Sequence, residues 1–301
     1  MEKKKTPYEI VAEGIISSLE NGNIPAWRKT WTATGTMPMS LSSKKAYRGT
    51  NSLLLMFATM AGGYSSMWWG TYKQIEAMGG KRRKGQKSTP VVLWKPTETV
   101  REDGTVKKGA MMRYFNVFNS EQADWEDGTA PTNPESKDRT DVEIIETAQS
   151  VMDTYFGKDG APSLAFGGGR AYYSPSADAI QLPTQASFEG DAEFYSTAFH
   201  EMAHSTGHKD RLRREGITES HYFGDALYSE EELVAELTAT FLCAETGIAP
   251  STIENSTAYI AGWLKALKSD PKMLTKSASQ AQKACDYILG RTPAKVEETE
   301  E

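Results

Sequence analysis

The chain has 301 residues, too many for a typical single small domain and suited to two. Two cysteines exclude a disulfide framework, and no apolar stretch approaches a membrane span. The formal net charge of −6 hides an asymmetry: residues 1–128 hold 19 Lys+Arg against 12 Asp+Glu, a net +7, whereas 129–301 hold 15 against 28, a net −13. A basic half joined to an acidic half suggests that one end meets a polyanion. No apolar run follows Met1 to Lys5, so no secretory signal is read and a reducing cytoplasm is the expected setting.

The basic half opens with Tyr8, Val11, Ala12, Ile15, Ile16 and Leu19 at helical spacing, which predicts an amphipathic helix closed by Asn21-Gly22. A loop follows in which Trp27 and Trp31 flank Arg28 and Lys29. Tyr47 and Arg48 precede a helix predicted from Asn51 to Met60. Trp68-Trp69 lead into a helical stretch, Thr71 to Met78, and Lys81, Arg82, Arg83, Lys84 and Lys87 make a cationic turn. Val91–Trp94 and Arg113–Phe118 read as strands around the hairpin-like turn Glu102-Asp103-Gly104. Residues 129–140 carry breakers without apolar periodicity and read as a linker. The expected domains are therefore 1–128 and 141–292, with a disordered tail at 293–301. Opposite charge and a polar linker predict that the halves fold independently.

Rings interleaved with Arg and Lys suit single-stranded nucleic acid, because bases stack on flat faces while cations track phosphates. Any one of these Trp residues alone reads equally as core, and a cationic run as a solvated loop. The combination with regional charge favours contacts at Trp27, Arg28, Lys29, Trp31, Tyr47, Arg48, Asn51, Trp68, Trp69, Lys81, Arg82, Arg83, Lys84 and Lys87. No helix-turn-helix or zinc-finger spacing supports duplex readout.

In the acidic half, Asp141 to Tyr155 reads as a helix. Leu164–Phe166 and Ala171–Tyr173 read as strands around Gly167-Gly168-Gly169, and Ala179–Leu182 as a third strand. Then comes His200-Glu201-Met202-Ala203-His204 inside a helical pattern. Residues four apart share a helix face, so two imidazoles at this spacing can grip one divalent ion while Glu201 stands ready to take a proton from water. The chain has only four histidines, and three of them crowd into nine residues, which weakens a reading as incidental surface histidines. Glu232 is the favoured third ligand, with Glu236 one turn later to orient an imidazole; Asp210 is the rival ligand. Ser229-x-x-Glu232 also has the form of a capping box. His208 would lie roughly 12 Å from His200 on an unbroken helix, too far to share an ion. The expected cofactor is one divalent metal ion, with zinc the favoured identity.

These residues together resemble the ArdC-type antirestriction proteins of conjugative plasmids. The resemblance rests on Ile24–Lys29, Tyr47–Asn51, Trp68–Met78, the cationic turn and Tyr114–Phe118 in the first half. In the second half it rests on Tyr172–Tyr173, Asp178–Pro183, Phe188, Phe199–His208, Arg211–Leu212 and Glu232–Glu236. It implies an α+β chain of two domains: an α+β single-stranded-DNA-binding domain, then a zincin-like metalloprotease domain. It also implies protection of incoming plasmid DNA from host restriction during conjugation. The partners expected are single-stranded DNA and a protein substrate such as a DNA-bound host protein, with no membrane. The alternative is a DNA-associated zinc protease that cleaves DNA-bound or crosslinked proteins.

Overall fold

A computed structural model describes residues 9, 13, 16, 37–100, 106–133, 141–219, 226–248, 268–270 and 272–291. The chain is a two-domain α+β protein. The first unit holds β1 (Met39–Ser40), α1 (Thr50–Gly62), β2 (Trp68–Thr71), α2 (Tyr72–Ala77), β3 (Gly80–Arg82), β4 (Thr89–Val100), β5 (Val106–Asn119) and β6 (Ala123–Trp125). Four strands form a sheet in the order β1-β2-β5-β4, and β3 pairs with β6. Trp68 and Trp69 thus belong to a strand, and the helix expected here begins only at Tyr72. Thr71 and Gln74 form a capping box at that start, which satisfies two amide donors reciprocally.

Strand alternation sends β5 side chains to two faces. Val117 joins Leu55, Trp69 and Val91 on one face, under α1. Phe118 packs on the other, near Leu41, Trp68, Ile75 and Ala123. The first unit reaches past its expected end at residue 128, because Trp68 Nε1 donates to the Thr132 carbonyl at 2.7 Å and Asn133 Oδ1 accepts from Met67 N at 3.0 Å.

The second unit contains α3 (Asp141–Phe156), β7 (Ser163–Phe166), β8 (Tyr172–Ser174), β9 (Ala179–Leu182), α4 (Asp191–Ser205), α5 (Glu215–Thr218), α6 (Ala226–Thr246) and α7 (Met273–Ile288). Its sheet runs β7-β9-β8, with β7 parallel and β8 antiparallel to the central β9. Helix α4 buries Phe194, Ala198, Phe199 and Met202, and α6 buries Leu233, Leu237 and Phe241 in the same core. Ala198, Ala203 and Ala235 are fully buried, so small side chains line the helices where backbones approach.

The two units share that core, contrary to the expectation of independent folding. Helix α1 is apolar on more than one face, and a helix hydrophobic all round must be covered all round. Its Leu55 serves the first sheet, while Leu53, Leu54 and Met56 join the core of the second unit. Arg48 pairs with Asp286 of α7, Gln282 accepts from Gly49 N at 3.0 Å, and Thr50 Oγ1 donates to the Thr275 carbonyl at 3.3 Å. Polar linker composition reported nothing about this seam, because the residues that make it are apolar and lie on α1.

Candidate metal centre

Helix α4 carries His200 and His204 one turn apart, and α6 crosses it so that Glu232 faces both. The His200 and His204 Nε2 atoms are 3.1 Å apart. Glu232 Oε2 lies 3.6 Å from His200 Nε2, and its Oε1 lies 3.5 Å from His204 Nε2. A tetrahedral ion with ligands at about 2.0–2.2 Å separates neighbouring donors by roughly 3.3–3.6 Å, so this trio has the right dimensions for one ion. Burial works against a charged His200, but the hydrogen bond to Glu232 and the charges of Glu201, Glu232 and Glu236 outweigh it and raise its pKa to about 9. The pocket thus favours a cation between its donors. Among the described residues, this is the group of His, Cys, Asp and Glu that could hold a metal.

The surroundings orient the donors. Glu231 Oε1 lies 3.3 Å from His204 Nδ1. Arg214 holds that carboxylate through Nε to Oε2 at 2.8 Å and Nη2 to Oε1 at 2.6 Å. Burial alone would raise the Glu231 pKa, yet the Arg214 bonds lower it below the ordinary value. Arg214 also donates to Thr206 Oγ1 and the Ala203 carbonyl, both at 2.7 Å, and so fastens the end of the metal helix. Gly207 makes room for this: a Cβ there would meet Ile217 Cγ1 at 2.6 Å and Arg214 Nη2 at 3.0 Å. His200 Nδ1 is buried without a hydrogen bond, and the nearest ion-pair partner is Glu236 Oε2 at 3.8 Å. Glu236 is therefore beside His200, whereas Glu231 and Arg214, which sequence spacing did not single out, serve His204. Nothing in the Glu230-Glu231-Glu232 run says which carboxylate faces which imidazole until α6 is docked.

Asp210 stands outside the trio. Its carboxylate is 71% exposed and sits 3.6 Å from His208 Nδ1. The turn after Gly207 carries it away from the imidazoles, which removes the geometric basis for the rival ligand. His208 lines the same cleft without joining the cluster.

The cleft measures about 860 Å³ and is lined by His200, Glu201, His204 and Glu232. Tyr172 and Tyr173 of β8, an edge strand of the sheet, line the same cleft. A half-buried network fixes that strand to the metal helix. Tyr173 Oη donates to Asp178 Oδ1 at 2.8 Å, Arg211 Nη1 donates to Asp178 Oδ2 at 3.0 Å, and Arg211 Nε donates to the Ser205 carbonyl at 2.7 Å.

Comparison with known proteins agrees with this geometry. Residues 151–280 match the family of zincin-like metallopeptidases, and residues 5–118 match the N-terminal domain of anti-restriction factor ArdC. The crystal structure of the antirestriction ArdC protein from plasmid R388, in its metal-free form, is 34% identical, covers 94% of this chain and 96% of its own, and superposes with a TM-score of 0.75. The chain belongs to the ArdC-type antirestriction family. The Mn(II)-bound form of the same ArdC protein gives 35% identity, 95% and 98% coverage and a TM-score of 0.74. The uncharacterized protein y4eC of Sinorhizobium fredii is 35% identical over 93% of this chain and 91% of its own. The DNA primase TraC of Escherichia coli is 35% identical over 99% of this chain, which spans only 21% of TraC.

In this ArdC-type chain, several residues expected to touch nucleic acid have structural work instead. Trp69 is fully buried and Trp68 is 8% exposed, so neither ring offers a face to a base. Tyr47 packs against the core of Leu55 and Trp69, and burial raises its phenol pKa. Arg48 is paired to Asp286. Asn51 donates to the Val92 carbonyl and accepts from Val92 N, both at 2.7 Å, and so closes part of edge strand β4. Lys81, Arg83, Lys84 and Lys87 are exposed and Arg82 is half-buried. Trp27, Arg28, Lys29 and Trp31 lie outside the described residues. No helix among the described residues is long and apolar enough to cross a membrane.

Proposed function

We propose that the chain binds single-stranded DNA through its basic half and protects incoming plasmid DNA from host restriction during conjugation, with a zinc metallopeptidase site in its second half. The observation that carries the metal reading is the convergence of His200, His204 and Glu232 beside Glu201 in an open cleft. Zinc suits two imidazoles and one carboxylate, and when bound it would polarise a carbonyl and make water acidic. Glu201, buried and lining the cleft, takes the proton from the attacking water and passes it to the leaving nitrogen. Strand β8, at an edge of the sheet and lining the cleft, can align an extended peptide by backbone pairing. The net +7 of residues 1–128 and the exposed cationic turn support the polyanion partner. The DNA setting also fits a relative named a DNA primase, 21% of whose length aligns with this chain at 35% identity.

A second reading is a protease acting on DNA-bound or crosslinked proteins. It is favoured by the open cleft beside Glu201, since purely structural zinc sites are closed by four protein ligands. Transfer of an unmodified plasmid into a restricting recipient separates the two. Protection retained with Glu201→Gln supports DNA coating. Its loss at normal protein level and DNA affinity replaces coating with proteolysis.

A further inference from the structure

The cationic turn meets strand β5 through Arg82, whose guanidinium lies over the Phe118 ring. With Trp68 and Trp69 buried, a stacking platform in the described part of the first unit must be another ring. Tyr72, Tyr114 and Phe115 are its exposed large apolar side chains. Tyr114, Asn116 and Phe118 alternate along β5 and therefore share one face, whereas Phe115 points to the face that Val117 buries under α1. On the shared face the Arg82 guanidinium lies 5.2 Å from the Phe118 ring centre. Arg82 Nη1 also donates to the Gln86 carbonyl at 3.3 Å, which braces the turn that enters β4. That strand then runs beside the same residues, with Pro90 opposite Asn116 and Val92 opposite Tyr114.

We propose that this face of β5, with Tyr114 as the stacking ring and Arg82, Lys84 and Lys87 as the phosphate-facing cations, is a platform for single-stranded nucleic acid. The proposal rests on the reading that the chain binds single strands, and it says where. Tyr114 is 53% exposed, and Asn116 offers an exposed amide beside it. Lys81, Lys84 and Lys87 are exposed and pair with no carboxylate among the described residues, whereas Arg83 is engaged with Asp124 at 3.4 Å. From Tyr114 to Phe118 the strand covers about 13 Å, room for more than one base. Stacking on strand-borne aromatics with cations along the rim is how sheets read unpaired bases.

The test is fluorescence anisotropy of the full chain with a labelled oligothymidine and with a duplex of equal length, titrated across salt. Tyr114→Ala should weaken oligothymidine binding roughly 10-fold, while Tyr114→Phe, which keeps the ring, should stay close to wild type. Replacing Lys84 and Lys87 together by Gln should weaken binding and lower the salt slope by about 0.7 for each lost phosphate contact. Phe166→Ala, an exposed ring in the second unit, should change nothing. Unchanged affinity in both the Tyr114→Ala and the double lysine variants, with wild type still binding, overturns the platform and leaves the single-strand reading intact. Failure of the wild type to bind oligothymidine overturns both. Loss in Tyr114→Phe equal to that in Tyr114→Ala would show that the hydroxyl, not stacking, is what matters, and would also overturn the platform.

Discussion

The metal helix and the first sheet place their polar and aromatic groups by different rules. On α4 the spacing of four residues is itself the geometry, because one helical turn puts His200 above His204 whatever surrounds them. On the first sheet, neighbours in sequence go to opposite faces, so a Trp-Trp or Tyr-Arg pair says nothing about which ring meets solvent. Trp69 went to the core and Tyr114 to the surface, although both stand beside other aromatics in sequence. A catalytic motif carried on one helix is local information, whereas a binding surface carried on a sheet is decided by what packs on each face.

The sharpest way to break this comparison is through the seam where the halves meet. Leu53→Ala removes a fully buried side chain from the shared core and should cost about 2–5 kcal/mol, seen by calorimetry of the full chain. A fragment of residues 1–128 loses the cover of Leu53, Leu54 and Met56 and should aggregate or melt well below the intact protein. A fragment as stable as the intact chain would restore the picture of independent halves.

Arg214→Ala should be comparably damaging for a different reason. It strands the buried Glu231 carboxylate, at a cost of about 3–5 kcal/mol, and loosens the end of α4. Because Glu231 orients His204, metal affinity should also fall about 10- to 100-fold. Isothermal titration after the variant has been shown to fold distinguishes the two effects. Unchanged affinity would mean that His204 needs no orienting carboxylate.

How much could be read before folding follows from the same contrast. The helix bearing the two histidines, strand β9 at Ala179–Leu182, helix α3 and the three glycines between β7 and β8 were all legible, since each has a period or a breaker of its own. Glu232 was legible because its one-turn partner Glu236 marks a helix face. Glu231 was not, since adjacent glutamates are indistinguishable until α6 docks. Asn51 read as a nucleic-acid contact as part of the Tyr47–Asn51 motif; its two bonds to Val92 depend on a strand 41 residues away.

Smaller effects refine the picture. Asn51→Ala should cost about 1–3 kcal/mol by unpairing the Val92 backbone, and leave affinity for oligothymidine unchanged if its role is structural. A loss of affinity at unchanged melting temperature would return Asn51 to the binding surface. Smallest is the acid limb of stability. Burial would raise the Asp178 pKa, but the hydrogen bonds from Arg211 and Tyr173 hold it below the ordinary carboxylate value. A depressed carboxylate stabilises the fold above its unfolded pKa, and that contribution disappears as pH falls through the lower folded value. Asp178→Asn should therefore flatten the stability curve below about pH 4, and a curve identical to wild type would show that the network with Arg211 adds nothing.

The central claim is that His200, His204 and Glu232 hold one divalent ion and Asp210 does not. It is tested most directly by metal analysis of purified wild type, Glu232→Ala and Asp210→Ala, each checked for folding. One equivalent of metal in wild type and Asp210→Ala, with loss in Glu232→Ala, is the expected result. Loss in Asp210→Ala with retention in Glu232→Ala would contradict the assignment.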